Sequence, residues 1–254
     1  MTWFARLFVT APIRAAVALQ VLAYVLTFLV TIVTLLVFRS AEWWVPIVTG
    51  ELSVLGLSLV LIARLGWWRR AGITGGTFAS AGLWVGALLP ALAAAATYGL
   101  VFGPRAAPPA VWLVAIVVGL SEEVMNRGLI LSALVPRGTI RGVMLSSALF
   151  GLSHLTNVLD APLVAVAAQV FGATCNGALW AAVRTRGASI WLLVIGHALV
   201  DLADVYFGYR LDDATAQAVG LEIGIGIATA LVAVAVLVRR RTGDDGSPAV
   251  ATSL

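Results

Sequence analysis

The chain contains no lysine, a single cysteine and two histidines, and only 11% of its residues are charged. An average soluble domain carries roughly 25%. So few charges cannot coat a water-facing surface, which excludes an ordinary soluble domain. The lone Cys175 cannot form an intrachain disulfide, and its place in an apolar run suits a small buried residue. No His-Glu-x-x-His occurs, so the usual helical zinc-protease motif is missing. Gly224-Ile225-Gly226 is followed by Ile227, which excludes the Gly-x-Gly-Asp of aspartyl intramembrane proteases. Ser153 beside His154 gives a superficial Gly-x-Ser. Adjacent residues on an α-helix diverge by about 100°, so the two are not expected to pair as nucleophile and base.

What is present in abundance is apolar: 61% of residues, with a mean hydropathy of +1.02. Runs of about 20 apolar residues, enough to cross ~30 Å of hydrocarbon, recur throughout the chain. Backbone groups in such runs must be satisfied internally, so the fold class expected is all-α, a polytopic membrane bundle of about eight helices. The spans read as 15–38, 44–64, 79–103, 110–132, 139–158, 162–183, 189–208 and 214–238. Residues 1–241 read as one transmembrane domain and 242–254 as a disordered cytoplasmic tail rich in Gly, Asp, Ser and Pro. Trp3, Phe4, Leu7 and Phe8 lie at helical spacing, which suits a short interfacial helix, and no removable signal peptide is read there. Gly82-x-x-x-Gly86 and Gly220-x-x-x-Gly224 suit close helix packing, Pro90 a kink, and the pairs Trp43-Trp44 and Trp67-Trp68 interfacial anchoring.

Arginine placement sets orientation. Arg6, Arg14, Arg64, Arg69, Arg70, Arg137, Arg141, Arg184, Arg186 and Arg239 to Arg241 fall at one set of span ends. Only Arg39, Arg105 and Arg210 fall at the other, among Glu42, Asp160, Asp212 and Asp213. By the positive-inside rule both termini are cytoplasmic. This topology signal accounts for the net charge of +4, so no nucleic-acid partner is expected. Arginine-only basic usage with abundant Ala, Gly and Val points to a GC-rich bacterial genome and hence the inner membrane.

Ionisable groups inside the bilayer cost roughly 2.5–3.5 kcal/mol each and mark function by default. They gather in three places: Glu122, Glu123 and Arg127; His154, four residues after Phe150; and His197 with Asp201, Asp204 following. Glu123 and Arg127 are spaced i, i+4 with the acid N-terminal, the favoured order for an intrahelical pair, so Arg127 is expected to neutralise Glu123. Glu122 then has no partner on its own helix and faces elsewhere with Asn126. His197 and Asp201 share a face. A carboxylate in a poorly solvated pocket can serve as general base toward water, and imidazoles can relay protons or donate to an oxyanion, so hydrolysis suits these parts. Glu51 and Glu222 lie close enough to span ends that solvation is expected of them.

Glu-Glu-x-x-x-Arg (Glu122 to Arg127), Phe-x-x-x-His (Phe150 to His154) and His-x-x-x-Asp (His197 to Asp201), in that order, resemble the signature of the CPBP family. These are the CAAX-processing and bacteriocin-processing intramembrane proteases, also called ABI or type II CAAX endopeptidases. The resemblance covers about 115–208. It implies an endopeptidase acting on a membrane-associated peptide or protein within the lipid bilayer, with Glu122 and His154 activating water and His197 and Asp201 stabilising the oxyanion. Characterised eukaryotic relatives cut the last three residues from prenylated CAAX substrates. Many relatives carry Asn where this chain has Asp201. An Asp would have to be protonated to donate there, and it could instead hold the His197 tautomer or bind a cation. Glu122, His154, His197 and Asp201 also comprise a nitrogen and oxygen donor set for zinc. The metal-independent glutamate mechanism is the reading preferred, with no cofactor. Two other functions compete: a non-catalytic immunity or scaffold protein of the same fold, and a proton-coupled transporter, which no matching pair of broken helices supports.

Overall fold

A computed structural model describes residues 3–207 and 215–239, with side chains from Arg6 onward. Its elements are helices: α1 (Trp3–Thr10), α2 (Pro12–Val37), α3 (Trp44–Leu65), α4 (Ala81–Phe102), α5 (Ala110–Glu123), α6 (Leu131–Leu134), α7 (Thr139–Ser153), α8 (Leu163–Thr185), α9 (Ile190–Phe207) and α10 (Ala216–Val238). The expected all-α polytopic membrane bundle is what folds. Arg210, Asp212, Asp213, Arg240, Arg241 and the tail 242–254 lie outside the described residues, as do the side chains of Trp3 and Phe4.

Among the described residues, seven helical segments are long and apolar enough to cross a bilayer. The expected fourth span is the exception. It begins as α5, widens into a π-helical stretch over Val124–Ile130, resumes as α6 and closes with a 3-10 turn at Val135–Arg137. Leu131 N–H bonds to the carbonyl of Asn126, five residues back instead of four. The span therefore exists as a continuous helical path in pieces, and π segments of this kind are frequent at functional sites. The fifth span also changes character, passing from α7 into a 3-10 helix at His154–Leu159.

Many alanines pack inside the bundle, and many large apolar side chains face outward. Ala15, Ala16 and Ala23 of α2, Ala87, Ala91 and Ala94 of α4 and Ala181 and Ala182 of α8 are buried, while Phe28, Leu36, Leu100 and Leu231 are exposed. Lipid tails are as apolar as leucine, so burying large side chains gains little, and close approach of backbones wins instead. Helix α8 lies centrally against α7 and α10, and α9 packs on α4 and α5. Gly86 of the first glycine pair does sit against Val183 of α8, but Gly220 and Gly224 face open space, so the second pair mediates no helix contact. Gly226 is the residue of α10 that abuts Phe171 and Gly172. Pro90 stays within α4 and is buried.

Gly196 is where α9 meets α4 most closely. A Cβ there would run into the Ala87 carbonyl oxygen, which also accepts Trp180 Nε1 at 3.0 Å. Gly196→Ala should therefore cost about 1–3 kcal/mol by overpacking. The measurement is the thermal aggregation temperature in detergent, which should fall.

Arginines tie the Arg-rich end together. Arg184 donates to the carbonyls of Ala188 (3.1 Å) and Arg70 (2.8 Å), and Arg186 donates to Val236 (2.6 Å) and Leu237 (3.0 Å). The latter two are among the last carbonyls of α10, which have no partner within the helix. Helix α1 is held by Phe8, which is buried in the core and meets Trp67 edge-on at 6.2 Å.

Candidate active site

The π stretch starts directly after the paired glutamates, so the site sits where the helix widens. Glu123 is fully buried, and its Oε1 accepts Arg127 Nη1 at 2.7 Å, the expected pair. The same oxygen also accepts His197 Nδ1 at 2.9 Å. A carboxylate oxygen has two lone pairs, and both are used here. The acid assigned to Arg127 alone is thus also the one that orients His197. Asp201 does not hold Nδ1: its Oδ1 stands 3.7 Å from His197 Nε2, opposite Glu122 Oε2 at 3.6 Å. One imidazole has its inner nitrogen fixed and its outer nitrogen aimed between two carboxylates.

Aromatic rings complete the setting. The His197 ring stacks on Trp180 at 5.0 Å and 26°, and meets Phe150 edge-on at 5.8 Å. The Arg127 guanidinium lies 4.2 Å above Phe150 and 5.3 Å from Trp180. Cation–π contact compensates a desolvated cation where hydrogen bonds run out. Trp180 was not foreseen. It lies near the arginine-rich end of α8, where a tryptophan reads as an interfacial anchor, and only the fold shows it buried.

His154 stands at the change from α-helix to 3-10 helix. Its Nδ1 lies 3.1 Å from the Phe150 carbonyl, which can only accept, so Nδ1 carries the proton and Nε2 is left as the basic nitrogen. Ser153 Oγ comes within 3.2 Å of the same Nδ1, contrary to the expectation that adjacent residues diverge, because the helix tightens here. The serine hydroxyl itself donates to the Phe150 carbonyl. Hydroxyl and imidazole therefore share one acceptor, and neither activates the other.

Two hollows flank these residues. A groove of about 860 Å³ between α2, α3 and residues 153–160 is lined by Tyr24, Glu51, Glu122, Asn126, His154 and Asp160 among others. A smaller cavity of about 80 Å³ is lined by Tyr98, His154, His197, Asp201, Asp204 and Glu222. His154 lines both. Glu51 and Glu222 are not solvated at span ends: Glu51 lines the groove, and Glu222 lines the cavity while accepting Tyr98 Oη at 2.5 Å. A position close to a helix end does not reveal that the neighbouring helix covers it.

Residues 104–203 match the family described as type II CAAX prenyl endopeptidase Rce1-like. The match covers 100 of the 254 residues. The family is the one expected from the three motifs. No curated protein matches the chain. The matched stretch takes in α5 to α8 and most of α9, hence every motif residue from Glu122 to Asp201. The family matched is one of CAAX prenyl endopeptidases. The groove wall from α2 and α3, and the Tyr98–Glu222 pair, lie outside the matched residues.

The residues considered from the sequence as zinc donors are Glu122, His154, His197 and Asp201, of which Glu122 and Asp201 lie 3.6 and 3.7 Å from His197 Nε2. Among the described residues no three His, Cys, Asp or Glu side chains are grouped to hold a metal ion. His197 Nδ1 is held by Glu123, which leaves Nε2 facing Glu122 and Asp201.

Proposed function

We propose that this protein hydrolyses a peptide bond of a membrane-associated substrate, with Glu122 as general base. The observation that carries the reading is the convergence of Glu122 and Asp201 on His197 Nε2, while Glu123 fixes Nδ1. Fixed donors and acceptors around one point are what electrostatic preorganisation requires. Asn126 Nδ2 donates to the Glu122 backbone carbonyl at 2.9 Å, so the side chain of Glu122 faces the groove without a neighbour on its own helix to neutralise it.

In this scheme a water in the groove gives its proton to Glu122, and His154, proton on Nδ1, accepts from that water through Nε2. The oxygen adds to the scissile carbonyl carbon. The resulting oxyanion takes hydrogen bonds from Nε2–H of His197 in its doubly protonated form, whose Nδ1–H stays on Glu123, and from Asp201 in its protonated form. Collapse breaks the carbon–nitrogen bond, and the proton held by Glu122 passes to the departing amine. The scheme is metal-independent, in keeping with the missing His-Glu-x-x-His.

The test is a mass-spectrometric survey of new protein termini in native membranes, comparing wild type with Glu122→Gln at matched expression. Termini present only with the wild type are expected. Identical inventories, with purified protein also inactive, would return the weight to a non-catalytic scaffold. A subtler effect is expected at Trp180, which positions His197 without touching substrate. Trp180→Phe loses the bond to Ala87 and should lower kcat by about 10- to 100-fold with KM little changed.

A further inference from the structure

Helix α2 is apolar after Arg14 except along one line. Gln20, Tyr24, Thr27, Thr31 and Thr34 follow one another at steps of four, three, four and three residues, which puts them on a single face. Polar side chains inside a membrane commonly join helices, and the far half of this line does so. Thr34 Oγ1 shares a hydrogen bond with Thr49 Oγ1 of α3 at 3.0 Å, Thr31 reaches the Pro46 carbonyl at 3.5 Å, and Thr27 sits against Gly50. The near half does not. Gln20 is 6% exposed and its Oε1 has no hydrogen-bond partner, and the covered hydroxyl of Tyr24 has none either. Tyr24 lies close to Ser153 and within electrostatic reach of Glu122. Both residues line the large groove, together with Glu122 and Asn126. Asn126 is 1% exposed, and its Nδ2 is spent on the Glu122 carbonyl, which identifies Oδ1 as the acceptor left over; Oδ1 too is unbonded.

A buried polar atom without a partner is costly, and native structures keep few of them. Three such atoms belong to residues lining one hollow of about 860 Å³ beside Glu122. We infer that Gln20, Tyr24 and Asn126 form a subsite for peptide backbone, with the Tyr24 hydroxyl donating to a carbonyl and Gln20 Oε1 and Asn126 Oδ1 accepting N–H groups. An extended chain presents neutral N–H and C=O groups in alternation, which is what uncharged donors and acceptors recognise. A backbone held there lies against Glu122 and His154, the two groups assigned to activating water. The polypeptide occupant rests on the endopeptidase reading. Gln20 and Tyr24 stand outside residues 104–203, so the family match gives them no role.

The probe is a fluorescent, farnesylated peptide of the CAAX type. Its binding to the full chain carrying Glu122→Gln, in nanodiscs, is read by polarisation without turnover. On that background Gln20→Met and Tyr24→Phe keep shape and remove the polar group. Each should raise Kd about 3- to 10-fold, while the aggregation temperature in detergent holds or rises because the free protein loses no bond. Thr34→Val should do the reverse, lowering the aggregation temperature and leaving Kd unchanged. N-methylating the peptide's backbone amides one at a time should find a position whose loss of affinity disappears in Gln20→Met, the mark of a shared hydrogen bond. An unchanged Kd in both variants, or a lower aggregation temperature with every N-methyl effect intact, would overturn the subsite. So would failure of both wild type and Glu122→Gln to bind the peptide. Binding that responds to these substitutions, with no Glu122-dependent cleavage of the same peptide, would leave the subsite standing and remove the endopeptidase reading.

Discussion

Glu122→Gln should abolish hydrolysis while the protein inserts and accumulates normally. The substitution keeps size and shape and removes only the capacity to accept a proton. General acid–base catalysis contributes about 10²–10⁴-fold, so turnover in proteoliposomes should fall by at least that range. Stability should hold, because the nearest polar contact of Glu122 is 3.6 Å from His197 Nε2, too long for a hydrogen bond, and Asn126 bonds its backbone instead. Glu123→Gln provides the contrast. It is equally conservative in shape, yet it withdraws the charge that Arg127 and His197 both rely on, so membrane abundance should fall with activity. Full activity in Glu122→Gln would show that the base has been assigned to the wrong carboxylate.

Arg127→Ala is expected to be the most destabilising single change in the protein. Arg127 is 1% exposed and Glu123 0%, so truncation strands a carboxylate inside the bundle with only His197 to answer it. Breaking a buried pair by removing one partner costs about 3–5 kcal/mol. The rings of Phe150 and Trp180 would also lose the flat cation between them. Membrane abundance and aggregation temperature in detergent should both drop sharply. Arg127→Lys should recover only part, since an ammonium can reach Glu123 but cannot lie flat over two rings. An unchanged aggregation temperature in Arg127→Ala would mean the pair carries no structural weight.

The sequence made the class and most of the site readable for a simple reason: charges are so scarce that each one inside a span is conspicuous. Seven spans and the Glu123–Arg127 pair follow from apolar length and i, i+4 spacing. What stayed hidden depends on neighbours brought from elsewhere in the chain. Glu123 reaches His197 across two helices, Trp180 is covered by α4, and Glu222 finds Tyr98, and no local pattern encodes any of these. Glu51 and Glu222 were misjudged by counting residues to a helix end. That count measures depth along an axis and says nothing about lateral cover.

The wide turn at Val124–Ile130 makes one membrane crossing out of two helical wheels. Each π turn accommodates one more residue than an α turn, so the face of α6 is rotated by about 100° from where an unbroken α5 would carry it. Deleting a single residue after Arg127, within Gly128–Ile130, would leave the hydropathy, every motif residue and the Glu123–Arg127 spacing in place. It would nevertheless turn the glutamates away from His197 or swing α6 off its neighbours. Length variants in this segment are thus more damaging than most substitutions, and spacing there is as much a part of the site as the side chains.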